Sequence, residues 1–180
     1  FAGSCALRSG EEVCAGDGLE SWSMLDLLSS LADKSLVEVQ ADAGGTVRHR
    51  LLETLAHYAR ERADEAGESD ALRLRHLEHF GGLVHELAAE LVGPRFTRTL
   101  DVLEQEHPNL IRALETALAT EPAPGLRMVA DLQNFWTGRA GWSEGHRYAR
   151  AFLDRSGEAG SVRGHVLVFV GTWHFYRDEL

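Results

Sequence analysis

The side chains best suited to chemistry in this chain are its histidines, two neighbouring serines and a scatter of carboxylates. His76 and His79 lie three residues apart, close enough on one helix to share a zinc ion. Zinc would need one or two further ligands. His85 is nearly two turns on and no cysteine lies near, so the pair reads as helix histidines. His57 follows Glu53 by four residues. That spacing suits acid–base work and equally an ordinary surface pair on a helix. Ser21 and Ser23 flank Trp22 without a G-x-S-x-G elbow, so capping and helix surface are their expected roles. The phosphate loop G-x-x-x-x-G-K-[ST] is absent. No catalytic, cofactor-binding or metal-binding residue is assigned, and the chain is expected not to be an enzyme.

Charge narrows the choice of partner. The formal net charge is −10, and residues 1–66 hold 6 Lys/Arg against 12 Asp/Glu. A protein that reads DNA through phosphate contacts needs a basic face. The segment 21–34 instead carries Asp26, Asp33 and a lone Lys34, with Glu20 just before it. Direct DNA contact and an anionic membrane surface are therefore not expected. No apolar run approaches the length of a membrane span and no signal-peptide pattern is read, so a cytoplasmic location is the expectation. There Cys5 and Cys14 read as reduced thiols, with a single bridge between them left open. The start at Phe1 without methionine, and the abrupt end after Asp178-Glu179-Leu180, give the expectation of a piece of a longer protein.

The elements follow from periodicity. A short helix over 9–15 turns Val13 and Cys14 inward and ends at Gly16-Asp17-Gly18. A second helix over 21–34, capped by Ser21, puts Trp22, Leu25, Leu28, Leu31 and Ala32 on one stripe. Alternating runs at 36–40 and 46–51 around Gly44-Gly45 predict a β-hairpin. A helix over 53–66 follows at once, with Leu52, Leu55, Ala59 and Ala63 on one side.

Ser69 then caps a long helix to about Val92. Its Leu77, Phe80, Val84, Leu87 and Leu91 form a seam stepping 3, 4, 3, 4. Gly93-Pro94 stops it. Helices are predicted over 96–105 and, with Pro108 at its first position, over 108–120. Glu121-Pro122-Ala123-Pro124-Gly125 predicts a loop. Helices over 126–137, 143–154 and 162–176 complete the chain. The fold class is mainly α: a winged-helix module with a small hairpin over 1–66, lacking its first helix; a linking helical bundle over 67–121; and helix pairs running into a solenoid over 122–180.

Three segments carry a family resemblance in order: Leu31-Ala32-Asp33-Lys34-Ser35-Leu36-Val37, then 50–62 (RLLETLAHYARER), then Glu106-His107-Pro108-Asn109-Leu110-Ile111-Arg112-Ala113-Leu114. Together they resemble bacterial signal-transduction ATPases, in particular LuxR-type and antibiotic-pathway transcriptional regulators. In these, an NB-ARC-like domain precedes a winged helix and tetratricopeptide repeats. The pair at 126–154 is similar to a degenerate repeat of that kind, with Leu132, Trp136, Gly145, Ala149 and Phe152 at its packing positions. The resemblance implies a parent that binds ATP or ADP with magnesium in a domain absent here, and no cofactor in this segment. It implies docking on that ATPase domain, and an inducer, protein or small molecule, at the helical part. By register the family's nucleotide-sensing triplet falls on Leu51-Leu52-Glu53. Glu53 keeps a carboxylate and is the candidate relay residue, whereas Leu52 cannot bond a phosphate.

The aromatic cluster Trp136, Trp142, Tyr148, Trp173 and Tyr176, with Arg139 in a turn, has two readings: packing between repeats, or contact with a partner. Trp136, Arg139, Trp142, Trp173 and Tyr176 are the candidate partner-binding residues. The leading function is a non-catalytic relay and partner-binding segment of an ATP-dependent regulator. A free-standing helical scaffold and a winged-helix repressor are the alternatives.

Overall fold

The computed structural model describes residues 1–16, 18–42, 44–139, 141–157 and 160–178, with side chains described as far as residue 175. It divides into two compact units, Phe1–His79 and Phe80–Leu180.

In the first unit, β1 (Cys5–Ala6) leads into α1 (Leu7–Cys14). A 3₁₀ turn over Ser21–Ser23 leads into α2 (Met24–Asp33). The hairpin β2 (Val37–Ala41) and β3 (Val47–Leu51) follows, then α3 (Glu53–Ala66). The sheet order is β1-β3-β2, antiparallel throughout, with Cys5 opposite His49 and Val39 opposite His49 on the other side. A short strand, two helices and a hairpin that closes back on that strand form a winged-helix arrangement. The hairpin turn is built by Asp42. Its Oδ1 accepts from the backbone N–H of Gly44 and of Thr46, both at 2.8 Å, and Gly45 supplies a positive φ.

The core of this unit is small: Cys5, Val13, Met24 and Val37 are buried, with Ser9 and Gly10 beneath them. Three polar clamps tighten it. Arg48 donates to the Ser4 hydroxyl (2.8 Å) and carbonyl (3.0 Å). Arg75 donates to the carbonyl of Val13 at the end of α1 (3.0 Å), where a cation also favours the helix dipole. His79 joins Glu12 and Ser9.

The second unit is all helix. α4 (Ser69–Ala88) crosses the boundary between the units and ends in a 3₁₀ turn over Ala89–Val92. Then come α5 (Phe96–Ala119), α6 (Pro122–Gly138), α7 (Trp142–Arg155) and α8 (Ser161–Asp178). α5 packs on α6 and α7, α6 on α7, and α8 on both α6 and α7. Short connections between packed neighbours make these helical hairpins. Two glycines permit the close approach of α6 and α7. An added Cβ on Gly125 would overlap the ring of Phe152, and one on Gly145 would sit 2.6 Å from the Trp136 ring. The α4 seam is covered within the chain: Leu77, Phe80, Val84 and Leu91 are buried and Leu87 is half-buried.

Several local expectations are corrected. α5 is one helix rather than two, with Pro108 inside it. Proline removes the bond to the carbonyl four residues back, that of Glu104. Both Glu104 and Pro108 lie on the exposed side of α5, the side on which helix carbonyls tilt toward water. On the other face Leu100, Leu103, Glu106, Asn109, Leu110, Ala113, Leu114 and Ala117 form a continuous buried row, with Asn109 donating to Glu106 (2.9 Å) where the apolar residues lapse, and this row holds the two segments in line.

α6 begins at Pro122 and absorbs the predicted loop, because first-turn N–H groups have no intrahelical partner and prolines cost little there. α2 buries Met24 and half-buries Leu28 and Leu31, which leaves Trp22 and Leu25 exposed. Ser21 opens the 3₁₀ turn instead of capping α2. The strand β1 was not expected. Its two residues are too short to show a period and pair only because β3 lies alongside.

Candidate functional site

In the second unit, Trp136 near the end of α6 is 1% exposed and belongs to the core. Its ring stacks on Phe169 of α8 (centroids 6.2 Å), which stacks on Trp142 of α7 (5.7 Å). Trp142 in turn stacks on Trp173 (6.0 Å), and His146 continues the row against Trp173 (5.7 Å) and edge-on to His174 (5.2 Å). Offset pairs of this kind add roughly 0.5–1.5 kcal/mol each beyond area burial. The row therefore fastens α8 to the α6–α7 hairpin, and Trp142 and Trp173, both half-buried, bring it to the surface. The Tyr176 backbone continues α8, and its side chain lies outside the described residues. Tyr148 is buried, which pushes its phenol up, and the Arg147 guanidinium lies over its ring at 4.6 Å.

Arg139 follows the last residue of α6. Its Nε meets Glu104 at 3.1 Å and its Nη2 bonds Asp101, both on α5. A charge expected to face a partner is thus engaged inside the unit. His107 bonds Glu144 across α5 and α7 at 2.6 Å, beside the Pro108 that interrupts the α5 backbone ladder.

In the first unit, Glu53 is the first residue of α3 and is exposed. A carboxylate there favours the helix dipole and repels a phosphate, which would otherwise be drawn to the same helix end. Its expected pairing with His57 is replaced by His57 with Glu61 at 3.5 Å. His79 instead gathers the ingredients of acid–base chemistry. Its Nδ1 lies 2.7 Å from Glu12 Oε2 and its Nε2 lies 3.0 Å from Ser9 Oγ. Residues separated by about 70 positions gave no sequence signal of this. A nucleophile must meet its substrate, and Ser9 is 5% exposed within α1, so the trio works as a clamp. The Arg8 guanidinium, then His79, hold the Glu12 carboxyl below the usual carboxylate range. Among the described residues no group of three or more His, Cys, Asp or Glu is placed to hold a metal ion. Cys5 and Cys14 are both thiols, and burial pushes the Cys14 thiol up.

The surface missed by sequence reasoning is the outer face of the 3₁₀ turn and α2. Trp22 is 76% exposed, and Leu25 and Leu27 are exposed beside it, interleaved with Asp26 and bracketed by Glu20 and Asp33. The steps Met24–Leu28–Leu31 were a competing stripe that would have revealed it. In a winged-helix arrangement α2 is the helix placed to enter a major groove. Here it offers apolar and acidic side chains. Several of the unit's cations are already engaged: Arg8 with Glu12, Arg62 with Glu65, Arg73 with Asp64 and Asp70, and Arg48 with Ser4.

Comparison with known proteins finds relatives along nearly the whole chain. Two are provisionally named HTH-type transcriptional regulators, of Mycobacterium tuberculosis and Mycobacterium bovis. Each is 34% identical over 188 residues, covering 96% of this chain and 20% of the relative. An uncharacterized protein of Mycobacterium tuberculosis is 35% identical over 80 residues, 44% of this chain. The chain thus spans about a fifth of the length of the curated relatives it matches. No family model matches it. No solved structure matches it either. Among the described residues no helix is long and apolar enough to cross a membrane.

Proposed function

We propose that this chain is a non-catalytic relay segment of a cytoplasmic, ATP-dependent transcriptional regulator, in which the winged-helix unit docks on the regulator's nucleotide-binding domain through the outer face of α2. The observation that carries this reading is Trp22, 76% exposed with Leu25 and Leu27 around Asp26. An exposed tryptophan is the side chain most typical of protein-binding hot spots, and here it sits in an exposed apolar patch with a polar rim. Beside phosphate the same face would be repelled. The mycobacterial relatives support the regulatory setting through their names, and their fivefold greater length leaves room for ATPase and DNA-reading domains. ATP, ADP and magnesium would be held there, not in this segment. The helical unit receives the inducer, protein or small molecule, with Trp142 and Trp173 as the part of the aromatic row that reaches the surface.

A second reading has an observation of its own. The first unit has winged-helix topology and the relatives carry an HTH-type name, so the chain itself could read DNA. Fluorescence anisotropy of a labelled mixed-sequence duplex, at low and at physiological salt, separates the two. No binding at either salt is the expected result. Binding at micromolar concentration that vanishes as salt rises would overturn the relay reading and make α2 a DNA reader.

A further inference from the structure

The sheet of the first unit has the order β1-β3-β2, so β2 (Val37–Ala41) is an edge with no strand beyond it among the described residues. Edges that avoid pairing are blunted by lysine, proline or a bulge. β2 has none of these: it reads Val-Glu-Val-Gln-Ala and pairs with β3 in unbroken register. Glu38, Val39, Gln40 and Ala41 are all exposed.

The hairpin fixes which amides this edge presents. The backbone N–H of Asp42 donates to the carbonyl of Thr46 (2.9 Å), which makes these two a hydrogen-bonded pair. Such pairs alternate along an antiparallel ladder. Gln40 with Arg48 and Glu38 with Arg50 are therefore the pairs bonded within the hairpin. Val37, Val39 and Ala41 turn their N–H and C=O groups to the open edge. Side chains alternate as well. Val37, Val39 and Ala41 share one sheet face with Val47, His49 and Leu51, whereas Glu38 and Gln40 share the other with Arg48 and Arg50.

We infer that a second copy of this chain occupies the edge, with β2 antiparallel to β2 of the other copy about a two-fold axis at Val39. Charge and register select this occupant. The axis at Val39 sets Val39 against itself, Val37 against Ala41 and Glu38 against Gln40, so all five residues pair. Apolar side chains then continue across both sheets on one face. On the other, each carboxylate meets a side-chain amide that can donate to it, with Arg50 on its far side. An axis at Glu38 would set two carboxylates opposite each other, and an axis at Gln40 would set Glu38 against Asp42. Like charges directly opposite are destabilising. An axis between residues would bring the apolar face against the polar one. Main-chain bonds supply the affinity when a strand adds to an open edge. Five residues bury less than a standard interface, so the dimer is weak. The inference is independent of the docking assigned to α2.

Sedimentation equilibrium of the 180-residue chain reads the dimer, at physiological salt to screen the net charge of −10 on each copy. A Kd of about 100 μM is expected. Val39→Pro removes the N–H at the axis. That N–H faces away from β3, so the hairpin keeps its ladder. Dimerisation should weaken at least about tenfold while the thermal midpoint barely moves. Val39→Lys sets two cations face to face at the axis and should weaken it likewise, which keeps the test decisive if the proline variant misfolds. Register is read by cross-linking. Residues opposite in a hydrogen-bonded pair lie about 5.5 Å apart at Cα, within reach of a disulfide. Mild oxidation should therefore link Val39→Cys into a covalent dimer much faster than Glu38→Cys or the parent chain, whose two thiols set the background. A chain still monomeric at about 1 mM, a dimer indifferent to both Val39 variants, or equal cross-linking at positions 38 and 39 would overturn the inference. So would a dimer that Trp22→Ser disperses, because the exposed face of α2 would then be the interface.

Discussion

Gly125→Ala and Gly164→Ala add one methyl in the first turn of α6 and of α8, and opposite signs are expected. At Gly125 the new Cβ overlaps the ring of Phe152, a fully buried side chain, and on its other side lies 2.9 Å from the Cβ of Ala117. Ordinary contact begins at 3.4 Å, so the methyl is trapped between α7 and α5 and α6 must lift away. Overpacking costs roughly 1–3 kcal/mol, and overlap with a buried ring on one side and a helix on the other puts this case at about 2–3 kcal/mol, against a helix-propensity gain for alanine of at most about 1 kcal/mol. A net loss of about 1–2 kcal/mol is expected, and the thermal midpoint falls by roughly 4–8 °C per kcal/mol in a unit of about 100 residues. At Gly164 the methyl meets nothing within 4 Å, so only the propensity gain remains and the midpoint should rise by a few degrees. The assay is thermal and urea unfolding followed by helical circular dichroism and by the fluorescence of buried Trp136. A neutral or stabilising Gly125→Ala would show that Phe152 does not lie over Gly125 and would refute the packing of the α6–α7 hairpin derived above.

Three further outcomes follow from the same geometry. Burial holds the His49 imidazole below its usual range, so the folded first unit favours the neutral form. That stability is complete above the unfolded value, about 6.5, and declines as pH falls below it toward the folded value. Glu12, also lowered, loses its own contribution at lower pH still, as its carboxyl protonates. Urea midpoints should therefore fall from pH 7.5 to 5, and a decline unchanged in His49→Leu would exclude the imidazole as its source. Arg139→Ala should cost about 0.5–1 kcal/mol at low salt and less in 1 M salt, since its pairs with Asp101 and Glu104 are partly exposed; a loss independent of salt would mean that the arginine acts by packing. Pro108→Ala should raise the unfolding free energy by about 1–2 kcal/mol, and the urea midpoint with it, less than the roughly 3 kcal/mol of a mid-helix proline because Glu104 and Pro108 lie on the exposed side of α5. A lowered midpoint would show that the proline is needed where it stands.

Local sequence determined the elements that local physics decides. The hairpin was legible because two alternating runs flank Gly44-Gly45, and β2 and β3 pair in that register from Val37 with Leu51 to Ala41 with Val47. α3 runs from Glu53 to Ala66 and ends on the left-handed Gly67, and α4 begins at Ser69, all as composition indicated. The α4 seam and the Gly145 crossing were readable as helical periods with a small residue at one step.

Tertiary structure decided everything that depends on competition between a local preference and a distant surface. Proline argues against a helix interior by about 3 kcal/mol, yet the buried row from Leu100 to Ala117 spans Pro108 and carries α5 through it. α2 had two apolar stripes within ten residues. Gly10, against which Met24 packs at 3.5 Å from an added Cβ, selected one and left Trp22 and Leu25 outside. The same competition set the fate of the charged candidates. Arg139 found Asp101 and Glu104 across a helix pair, and His79 found Glu12 and Ser9 nearly 70 residues away. Pairings over such separations leave no period in a sequence, because only the folded chain brings the partners within bonding distance.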